Sequence, residues 1–384
     1  MTTTVLIAPD KFKGSLTASE VAEALAEGLR SAGSHGNGTV HCEILPLADG
    51  GDGSVDAAIT SGFGLHSCTV AGPTGQPVRA TVAFDGITAV VEVANTCGLA
   101  VLPGAVLEPM DASSRGFGEA VLFALGLGAS RVVLALGGSS STDGGMGMLT
   151  VLGLQFLDLA GHVLDGSGRS LSQVHSVTGS LVPELAGVEL ILASDVHNPL
   201  CGPIGAAAVF GPQKGATSAD VSTLDAGLAH FASKLADSGV LPADAVDLAH
   251  HPGSGSAGGI GFACLLLGAK QVSGADYFLD LLDFDARKEA CVVVITGEGS
   301  IDEQTLAGKL PAAVARRSGT RQVIAVAGRS LLAREQWAGM SLESVYALTD
   351  YTDSDSSKDP ELSGDLLRQI GREIGERVLG RARV

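Results

Sequence analysis

The residues best suited to chemistry lie between positions 137 and 145, where glycines, hydroxyls and one aspartate follow a short apolar run. Glycines without Cβ atoms let backbone N–H groups approach an anion, and the start of the helix expected after them favours negative charge. The pattern therefore predicts a phosphate-binding loop. A turn whose hydroxyls bond its own backbone explains the same residues equally well. The loop residues concerned are Gly137, Gly138, Ser139, Ser140, Ser141, Thr142 and Gly144.

A second group of charged residues follows predicted strands near both ends of the chain. It comprises Asp10, Lys11, Lys13, Asp49, Asp52, Glu298 and Asp302. In a parallel sheet the loops after the carboxyl ends of strands line one crevice, so these side chains are expected to converge. Carboxylates beside lysines suit magnesium-assisted phosphoryl transfer. Taken singly, Asp49 and Asp52 fit turn or helix-capping roles, and the two lysines fit ordinary solvated positions.

Asp195 ends another apolar run and is followed at short range by Asn198. An aspartate in that position can accept the proton of a substrate hydroxyl, and an asparagine can help to hold a metal ion. An Asx turn before Pro199 is an alternative of comparable weight.

The segment 253–258 matches the dinucleotide-binding pattern G-x-G-x-x-G through Gly253, Gly255 and Gly258. No clear strand precedes it, so we interpret it as a further anion-binding loop, with a nicotinamide site as the weaker alternative. The sequence contains neither the phosphate-binding loop G-x-x-x-x-G-K-[ST] nor the nucleophile motif G-x-S-x-G. Their absence argues against standard P-loop ATPases and serine hydrolases.

Composition narrows the class of protein further. The 384-residue chain has a formal net charge of −18, which makes nucleic acid or an anionic membrane an unexpected partner. Six separated cysteines without a Cys-x-x-Cys pair argue against a zinc site or a disulfide framework. The N-terminus lacks the pattern of a secretory signal, so we expect a cytoplasmic protein. The sequence does not determine the oligomeric state, and a homo-oligomer is compatible with it.

The ends of the chain read as alternating strands and helices. Residues 5–9 predict a strand, and the capping box Thr17–Glu20 opens a helix to about residue 32. Strands are likewise expected at 42–47 and at 292–296, the latter leading into a loop that contains Glu298. This alternation predicts an α/β fold with a Rossmann/flavodoxin-like parallel sheet.

The middle of the chain predicts hairpins instead. Residues 79–94 alternate around Asp85-Gly86, and residues 155–164 read as a second hairpin. We therefore expect a mixed α+β domain over residues 76–287, inserted into an outer domain of residues 1–75 and 288–384.

Six blocks of sequence resemble the type-1 glycerate kinase family. In order they are APDKFKGSLTA, PLADGGDG, LALGGSSSTDGGMGML, SDVHNPLCG with FGPQKGA, GSGSAGGIG, and TGEGSIDEQTLAGKLP, and they span residue 8 to about residue 311. The resemblance implies ATP-dependent phosphorylation of D-glycerate to 2-phosphoglycerate. It also implies two α/β domains with the active site in the cleft between them.

On this reading the loops 137–145 and 253–259 hold the phosphates of ATP, screened by Mg²⁺. Lys11 and Lys13 bind the glycerate carboxylate or the transferred phosphate, and Asp195 orients and deprotonates the substrate hydroxyl. Further assignments are substrate contacts by Asp49, Asp52, Asn198 and Lys309, and metal contacts by Asp195 and Glu298.

Three alternatives stay open at this point. The same kinase could yield 3-phosphoglycerate, the chain could be a non-catalytic sensor of a phosphorylated metabolite, or it could be an oxidoreductase that uses the loop at 253–258. The last two explain the glycines, but neither explains the convergent carboxylates and lysines as well as a kinase does.

Overall fold

A computed structural model describes residues 2–33, 38–241, 244–306 and 309–381. Its strands are β1 (Thr2–Pro9), β2 (Thr39–Ile44), β3 (Gly64–Ala71), β4 (Pro77–Phe84), β5 (Thr88–Glu92), β6 (Arg131–Ala135), β7 (Leu154–Leu157), β8 (Ser176–Gly179), β9 (Glu189–Ala193), β10 (Lys270–Val272), β11 (Val293–Ile301), β12 (Gln322–Ser330) and β13 (Ser344–Ala347). Its helices are α1 (Ala18–Ala32), α2 (Ser54–Thr60), α3 (Ala94–Cys97), α4 (Arg115–Gly126), α5 (Met146–Val151), α6 (Ala206–Phe210), α7 (Ser218–Ser238), α8 (Ala245–His250), α9 (Ile260–Leu266), α10 (Gly274–Leu281), α11 (Phe284–Lys288), α12 (Glu303–Leu306), α13 (Leu310–Ser318), α14 (Arg334–Gly339) and α15 (Pro360–Arg381).

The chain divides into two compact units, one made of Met1–Asp49 with Ala275–Val384 and the other of Gly50–Gly274. The crossings predicted from the sequence lie instead at 75/76 and 287/288. Residues 50–75 group with the second unit because β3 pairs with β4 along its whole length, and the predicted crossing at 75/76 falls in the turn of that hairpin. Residues 275–287 group with the first unit, where Arg317 forms ion pairs with Asp280 and Asp285.

The first unit contains a five-stranded sheet in the order β13-β12-β11-β1-β2, and every adjacent pair is parallel. Numbered within the unit, this is the flavodoxin-like order 2-1-3-4-5, which confirms the predicted parallel α/β architecture. The central strand β1 is apolar and fully buried from Val5 to Ala8 because helices cover both faces of such sheets.

Strand β11 is longer than the sequence predicted. Its pairing with β12 continues past Thr296 to the register Ile301–Ser330, so Glu298 lies in a strand and the expectation that it lies in a loop is wrong. The apolar run that marked the strand ends at residue 296, but parallel hydrogen bonding continues through the polar residues that follow it.

Helix α1 begins at the predicted capping box, in which the Thr17 hydroxyl accepts a hydrogen bond from the Glu20 amide and the Glu20 carboxylate accepts one from the Thr17 amide. The helix packs against α15 where two glycines face the partner helix. A Cβ at Gly28 would lie 2.1 Å from the Arg368 carbonyl oxygen, and one at Gly371 would lie 2.4 Å from the Leu25 carbonyl oxygen. The contact therefore depends on the missing side chains.

The second unit contains a mixed six-stranded sheet in the order β10-β9-β6-β5-β4-β3. Strands β10, β9, β6 and β5 are parallel, and β4 and β3 continue antiparallel. The hairpin predicted around Asp85 is confirmed, and its carboxylate accepts hydrogen bonds from the Ile87 and Thr88 amides. The hairpin predicted over 155–164 is present as a short antiparallel turn, in which Leu157 and Val163 are bridged and the Leu164 amide donates a 2.9 Å hydrogen bond to the Phe156 carbonyl oxygen. The sequence did not predict that β7 also pairs along its length with the more distant β8.

The core of the second unit is apolar and close-packed. Phe231 contacts Phe156 and Phe262, with ring centroids 5.3 and 6.4 Å apart, and all three rings are fully buried. The six cysteines are free thiols in the structure. Within the described ranges, no helix has the length and apolar character needed to cross a membrane.

Candidate active site

The strand order of the first unit reverses between β1 and β11, and in open α/β sheets ligands bind beside the carboxyl ends of the strands at such a point. Asp10 follows β1 there, and its amide donates a 2.8 Å hydrogen bond to the Gly297 carbonyl oxygen. Glu298 is the next residue along β11. The structure therefore brings together two carboxylates that lie 288 positions apart in the sequence.

Asp49 reaches the same edge because the chain continues alongside β1 after β2 ends. The amides of Leu45 and Leu47 donate 2.9 Å hydrogen bonds to the carbonyl oxygens of Ile7 and Pro9. Asp49 then follows, half-buried and close enough to act electrostatically on Asp10 and Glu298. The convergence predicted for the carboxylates of this unit is thus present.

The shared position changes the acidity of the cluster. Burial, then the negative charges of Asp49 and Glu298, raise the pKa of Asp10 to about 8, although the Lys11 charge and amide oppose the rise. Burial raises the pKa of Glu298 to about 7, with smaller contributions from Asp302 and Asp49. Such values suit groups that hold or exchange a proton near neutral pH. The sequence predicts that Asp10 lies in one of these loops but does not indicate a role for it.

Hydroxyl and ammonium groups complete this edge of the sheet. The buried Thr305 hydroxyl donates a short hydrogen bond to the Glu298 carboxylate. This bond and the Lys309 ammonium favour the charged carboxylate, so they oppose part of the rise in the pKa of Glu298. The loop carrying Lys11 and Lys13 passes over Gly299, where a Cβ would lie 3.3 Å from the Lys13 amide nitrogen. Gly308, part of the block TGEGSIDEQTLAGKLP, lies outside the described residues.

In the second unit three loops meet at the carboxyl edge of the parallel strands. A Cβ at Gly50 would lie 2.3 Å from the carbonyl oxygen of Ala193, the last residue of β9. A Cβ at Gly137, after β6, would lie 2.5 Å from Gly51 Cα. The glycines therefore allow the loops that carry Asp52, Gly138 and Asp195 to approach one another.

A buried glutamate that the sequence analysis missed supports one of these loops. Glu92 ends β5 and is 3% exposed, and its carboxylate accepts hydrogen bonds of 3.0 and 3.1 Å from the amides of Gly53 and Val55. The carboxylate thus binds the N-terminal amides of α2 and fixes the turn at 50–53. The available signal was a single charge within the apolar run 88–94.

Most of the predicted phosphate loop is buried. Ser139, Ser140, Ser141 and Thr142 are each at most 5% exposed, whereas Gly137 is half-buried and Gly138 is exposed. The Ser140 hydroxyl donates a 2.8 Å hydrogen bond to the Cys97 carbonyl oxygen. Among the described residues, the hydroxyls of Ser141 and Thr142 have no hydrogen-bond partner. The exposed backbone of the loop is therefore concentrated at its first two residues.

Asp143 holds the rest of the loop in place. Its fully buried carboxylate accepts hydrogen bonds of 2.7 and 2.6 Å from the amide and hydroxyl of Ser114, and of 3.2 Å from the amides of Gly145 and Gly147. Burial raises the pKa of Asp143, and these hydrogen bonds oppose the rise. The residue therefore stabilises the loop from inside the protein.

Lys214 is a second residue that the sequence analysis missed. It is 1% exposed, and its ammonium donates hydrogen bonds to the Ser139 hydroxyl at 2.8 Å and to the Ser141 carbonyl oxygen. Burial lowers the pKa of Lys214 to about 8, while the negative charge of Asp143 favours the charged form. The sequence offered only a lysine in the glycine- and proline-containing stretch FGPQKGA, with no signal of its burial.

The loop at 253–259 packs against these residues. A Cβ at Gly258 would lie 2.1 Å from the Ser141 carbonyl oxygen, and a Cβ at Gly255 would lie 2.3 Å from the Pro199 carbonyl oxygen. The segment follows helix α8, so it lacks the strand that the dinucleotide-binding pattern requires. Both glycines are buried.

Asp195 and Asn198 occupy the loop after β9. The half-buried Asp195 carboxylate accepts a 3.1 Å hydrogen bond from the Gly274 amide. The Asn198 side-chain amide donates a 2.8 Å hydrogen bond to the Ile204 carbonyl oxygen, and the Asn198 carbonyl oxygen accepts one from the Gly255 amide at 2.9 Å. These bonds give Asn198 a structural role in shaping the loop, which resembles the turn-forming role that the sequence offered as the alternative.

No set of three or more His, Cys, Asp or Glu side chains in the described part of the chain is arranged to hold a metal ion. A magnesium ion held largely by substrate phosphates needs only one or two protein carboxylates. The residues present thus fit an ion that arrives with a nucleotide better than one bound by the protein alone.

Comparison with known proteins identifies similar sequences over most of the chain. The model of the glycerate kinase family matches residues 5–378. The glycerate kinase of Bacillus subtilis (strain 168) is 41% identical over 331 residues, and the glycerate 2-kinase of Escherichia coli (strain K12) is 39% identical over 332 residues. Each alignment covers 84% of both chains. The solved structure of a candidate glycerate kinase 2 from Salmonella typhimurium LT2 gives a TM-score of 0.81 at 34% identity and covers 100% of both chains.

Proposed function

Because the chain belongs to the glycerate kinase family, we propose that it transfers the γ-phosphoryl group of ATP to D-glycerate and releases 2-phosphoglycerate. The name of the Escherichia coli relative, glycerate 2-kinase, supports the choice of the 2-hydroxyl as the acceptor. In this reaction the bond between the γ-phosphorus and the bridging oxygen of ATP breaks, a bond from phosphorus to the glycerate oxygen forms, and the hydroxyl proton leaves.

The observation that carries the proposal is the meeting of three loops at the carboxyl edge of the second unit's sheet. Gly137 and Gly138 offer accessible backbone without side chains, which suits close approach of a phosphate group. Asp195 lies in a neighbouring loop of the same edge, where a carboxylate can orient the acceptor hydroxyl and take its proton. Asp52 and Asn198 are proposed as further substrate contacts.

In the first unit we assign Lys11, Lys13 and Lys309 to anionic groups, either the glycerate carboxylate or the transferred phosphate. This assignment is supported by the position of the three lysines near Asp10 and Glu298, where the strand order of the sheet reverses between β1 and β11. It is also supported by the composition of the chain, which has 42 acidic and 24 basic residues. An anion at that place needs local positive charge to offset its surroundings. Asp49 is proposed as a substrate contact.

We propose that Mg²⁺ would bind as its complex with ATP and would supply positive charge beside the phosphates. Asp195 in the second unit and Glu298 in the first are each proposed as a carboxylate ligand for Mg²⁺. Turnover is expected to stop in excess chelator and to return when Mg²⁺ is restored. Full activity in the presence of the chelator would exclude this part of the proposal.

Phosphorus NMR of the purified protein with ATP, Mg²⁺ and D-glycerate tests the reaction and its position together. A 2-phosphoglycerate signal that depends on the protein is the expected result. A 3-phosphoglycerate signal would retain the kinase and reject the position. Tight binding of phosphoglycerate without ATP consumption would favour the sensor, and a change in NADH fluorescence on mixing would favour the oxidoreductase.

Asp195→Asn tests the proposed proton acceptor. The amide keeps the shape of the side chain but cannot take the proton, so kcat is expected to fall by roughly 10²-fold or more. Asp353→Asn, at an exposed position remote in sequence from the loops above, is a matched control. Activity of Asp195→Asn within a few-fold of the parent protein would reject the assignment.

A further inference from the structure

We infer that Lys214 is a positioning residue for nucleotide binding: its buried ammonium clamps Ser139 and Ser141 and so holds the accessible Gly137–Gly138 backbone ready for a phosphate group. The inference rests on the proposed function and deepens it, because it assigns a task to a residue that no substrate can reach directly. Lys214 is 1% exposed, so it acts through the loop that it binds.

The geometry of the clamp is specific. Lys214 ends a short turn in which its own amide donates a 2.9 Å hydrogen bond to the Gly211 carbonyl oxygen. From there its side chain donates to two acceptors that lie two residues apart, the Ser139 hydroxyl and the Ser141 carbonyl oxygen. Two hydrogen bonds from one ammonium group therefore fix the residues on either side of Ser140 and set the path of the backbone that leads back to Gly138.

The opposite side of the same segment is fastened by backbone. The Leu99 amide donates a 2.9 Å hydrogen bond to the Gly138 carbonyl oxygen, and the Ser140 amide donates a 3.1 Å hydrogen bond to the Cys97 carbonyl oxygen. These bonds hold one edge of the loop but leave the Ser139 side chain and the Ser141 carbonyl group to Lys214. Removing the lysine would leave two buried polar groups without their donor.

The choice of a charged clamp has a cost and a consequence. A buried ammonium is expensive unless it is hydrogen-bonded, and among the described residues Lys214 forms no direct ion pair. Asp143 attracts it electrostatically, but the Asp143 carboxylate is occupied by Ser114 and by loop amides. A positive charge kept next to a glycine-rich loop favours the binding of anions to that loop, which a neutral hydrogen-bond donor in the same place could not do.

The pair Lys214→Met and Lys270→Met tests the inference. Methionine keeps the length of the lysine stem and removes the ammonium, and Lys270 is an exposed lysine of the same unit that controls for the loss of one positive charge. We expect Lys214→Met to raise the Kd of ATP at least 10-fold, measured by calorimetry without turnover, and to change the Kd of D-glycerate less than 2-fold. Lys270→Met should leave both constants within 2-fold.

Two further measurements separate positioning from general damage. Amide hydrogen exchange in residues 137–142 should accelerate in Lys214→Met and stay unchanged in Lys270→Met, because only the first variant loses the clamp. Ser139→Ala removes one acceptor without touching the buried charge and should weaken ATP binding in the same direction by 2- to 5-fold. If Lys214→Met does not fold, Ser139→Ala decides by the same two Kd values.

The inference is overturned if a folded Lys214→Met binds ATP within 2-fold of the parent protein, or if its Kd for D-glycerate rises as much as its Kd for ATP. Failure of the parent protein to bind ATP would overturn both this inference and the proposed function. Binding of ATP without phosphorylation of D-glycerate would overturn only the proposed function, and the comparison of Kd values would still test Lys214.

Discussion

Thr142 buries a hydroxyl that no described residue hydrogen-bonds, in a loop assigned to nucleotide phosphates. An unpaired buried hydroxyl destabilises a folded protein by roughly 1 kcal/mol or more, and a side chain of the same shape without it avoids that penalty. Thr142→Val is therefore expected to raise the free energy of unfolding by about 1 kcal/mol, measured by urea titration. Thr150→Val is the matched control, because the Thr150 hydroxyl donates to the Met146 carbonyl oxygen and should not yield the same gain.

The effect of Thr142→Val on ATP binding distinguishes the two roles that the sequence left open for the loop hydroxyls. A stability gain with weaker ATP binding identifies a hydroxyl kept for the ligand at a cost in stability. A stability gain with unchanged ATP binding means that the hydroxyl does not take part, and the nucleotide assignment of Thr142 would be withdrawn.

Asp10 gives the protein a predicted pH dependence of stability. Its pKa is raised to about 8 in the folded state from an ordinary value of 3.8, so above pH 4 the folded state retains a proton that the unfolded state releases. The free energy of unfolding must then fall as the pH rises from about 4 to about 8. Between pH 5 and pH 8, Asp10→Asn is expected to reduce this fall by on the order of 2 kcal/mol.

Urea titrations of the parent protein, Asp10→Asn and the exposed-site control Asp353→Asn at both pH values measure the effect. Part of the fall should persist in Asp10→Asn because the pKa of Glu298 is also raised, to about 7. An equal fall in the parent protein and in Asp10→Asn would mean that the Asp10 carboxyl is already ionised at pH 5.

At the scale of elements, the contact between α1 and α15 depends on Gly28. A methyl group there would overlap the Arg368 carbonyl oxygen, which lies only 2.1 Å from the Cβ position, so the helices must separate. Gly28→Ala is expected to lower the free energy of unfolding by roughly 1 to 3 kcal/mol. Gly380→Ala, also helical but with no heavy atom within 4 Å of its Cβ position, should be neutral or stabilise by up to about 1 kcal/mol.

Elements whose signals are local were predictable from the sequence. The capping box at Thr17 fixes the start of α1, and Asp85 fixes the turn between β4 and β5, because both use hydrogen bonds within three residues. The end of β11 and the partner of β7 were not predictable, since each is set by pairing with a strand about 20 to 30 residues away.

The residues of the candidate site likewise fall into those that the sequence could predict and those that it could not. Glycines and acidic residues after apolar runs pointed to the edges where Asp49, Glu298 and Asp195 lie. The burial of Lys214 and Glu92 could not be foreseen, because a buried charge is recognisable only when the groups that solvate it are known. Nor could the sequence separate the accessible Gly138 from the buried hydroxyls that follow it.

At the scale of the whole molecule, a net charge of −18 opposes the approach of ATP and glycerate, both anions. The repulsion acts over distances that salt screens, since the Debye length falls from about 30 Å at 0.01 M to about 8 Å at 0.15 M ionic strength. Raising the ionic strength over that range is therefore expected to lower the KM of both substrates by roughly 2- to 10-fold. Chemistry at a formed complex should be less sensitive, so kcat should change less than 2-fold.

Initial rates at fixed free Mg²⁺, with potassium acetate as the added salt, measure this effect. The local and the overall charge have opposite effects on how KM depends on salt. Salt screens the attraction between anionic substrates and the lysines beside the site, which raises KM, and it screens the repulsion by the whole chain, which lowers KM. A KM that rises with salt would mean that Lys11, Lys13 and Lys309 dominate the field met by an arriving substrate. A KM that falls would mean that those lysines act only after the substrate has crossed a barrier imposed by the rest of the chain.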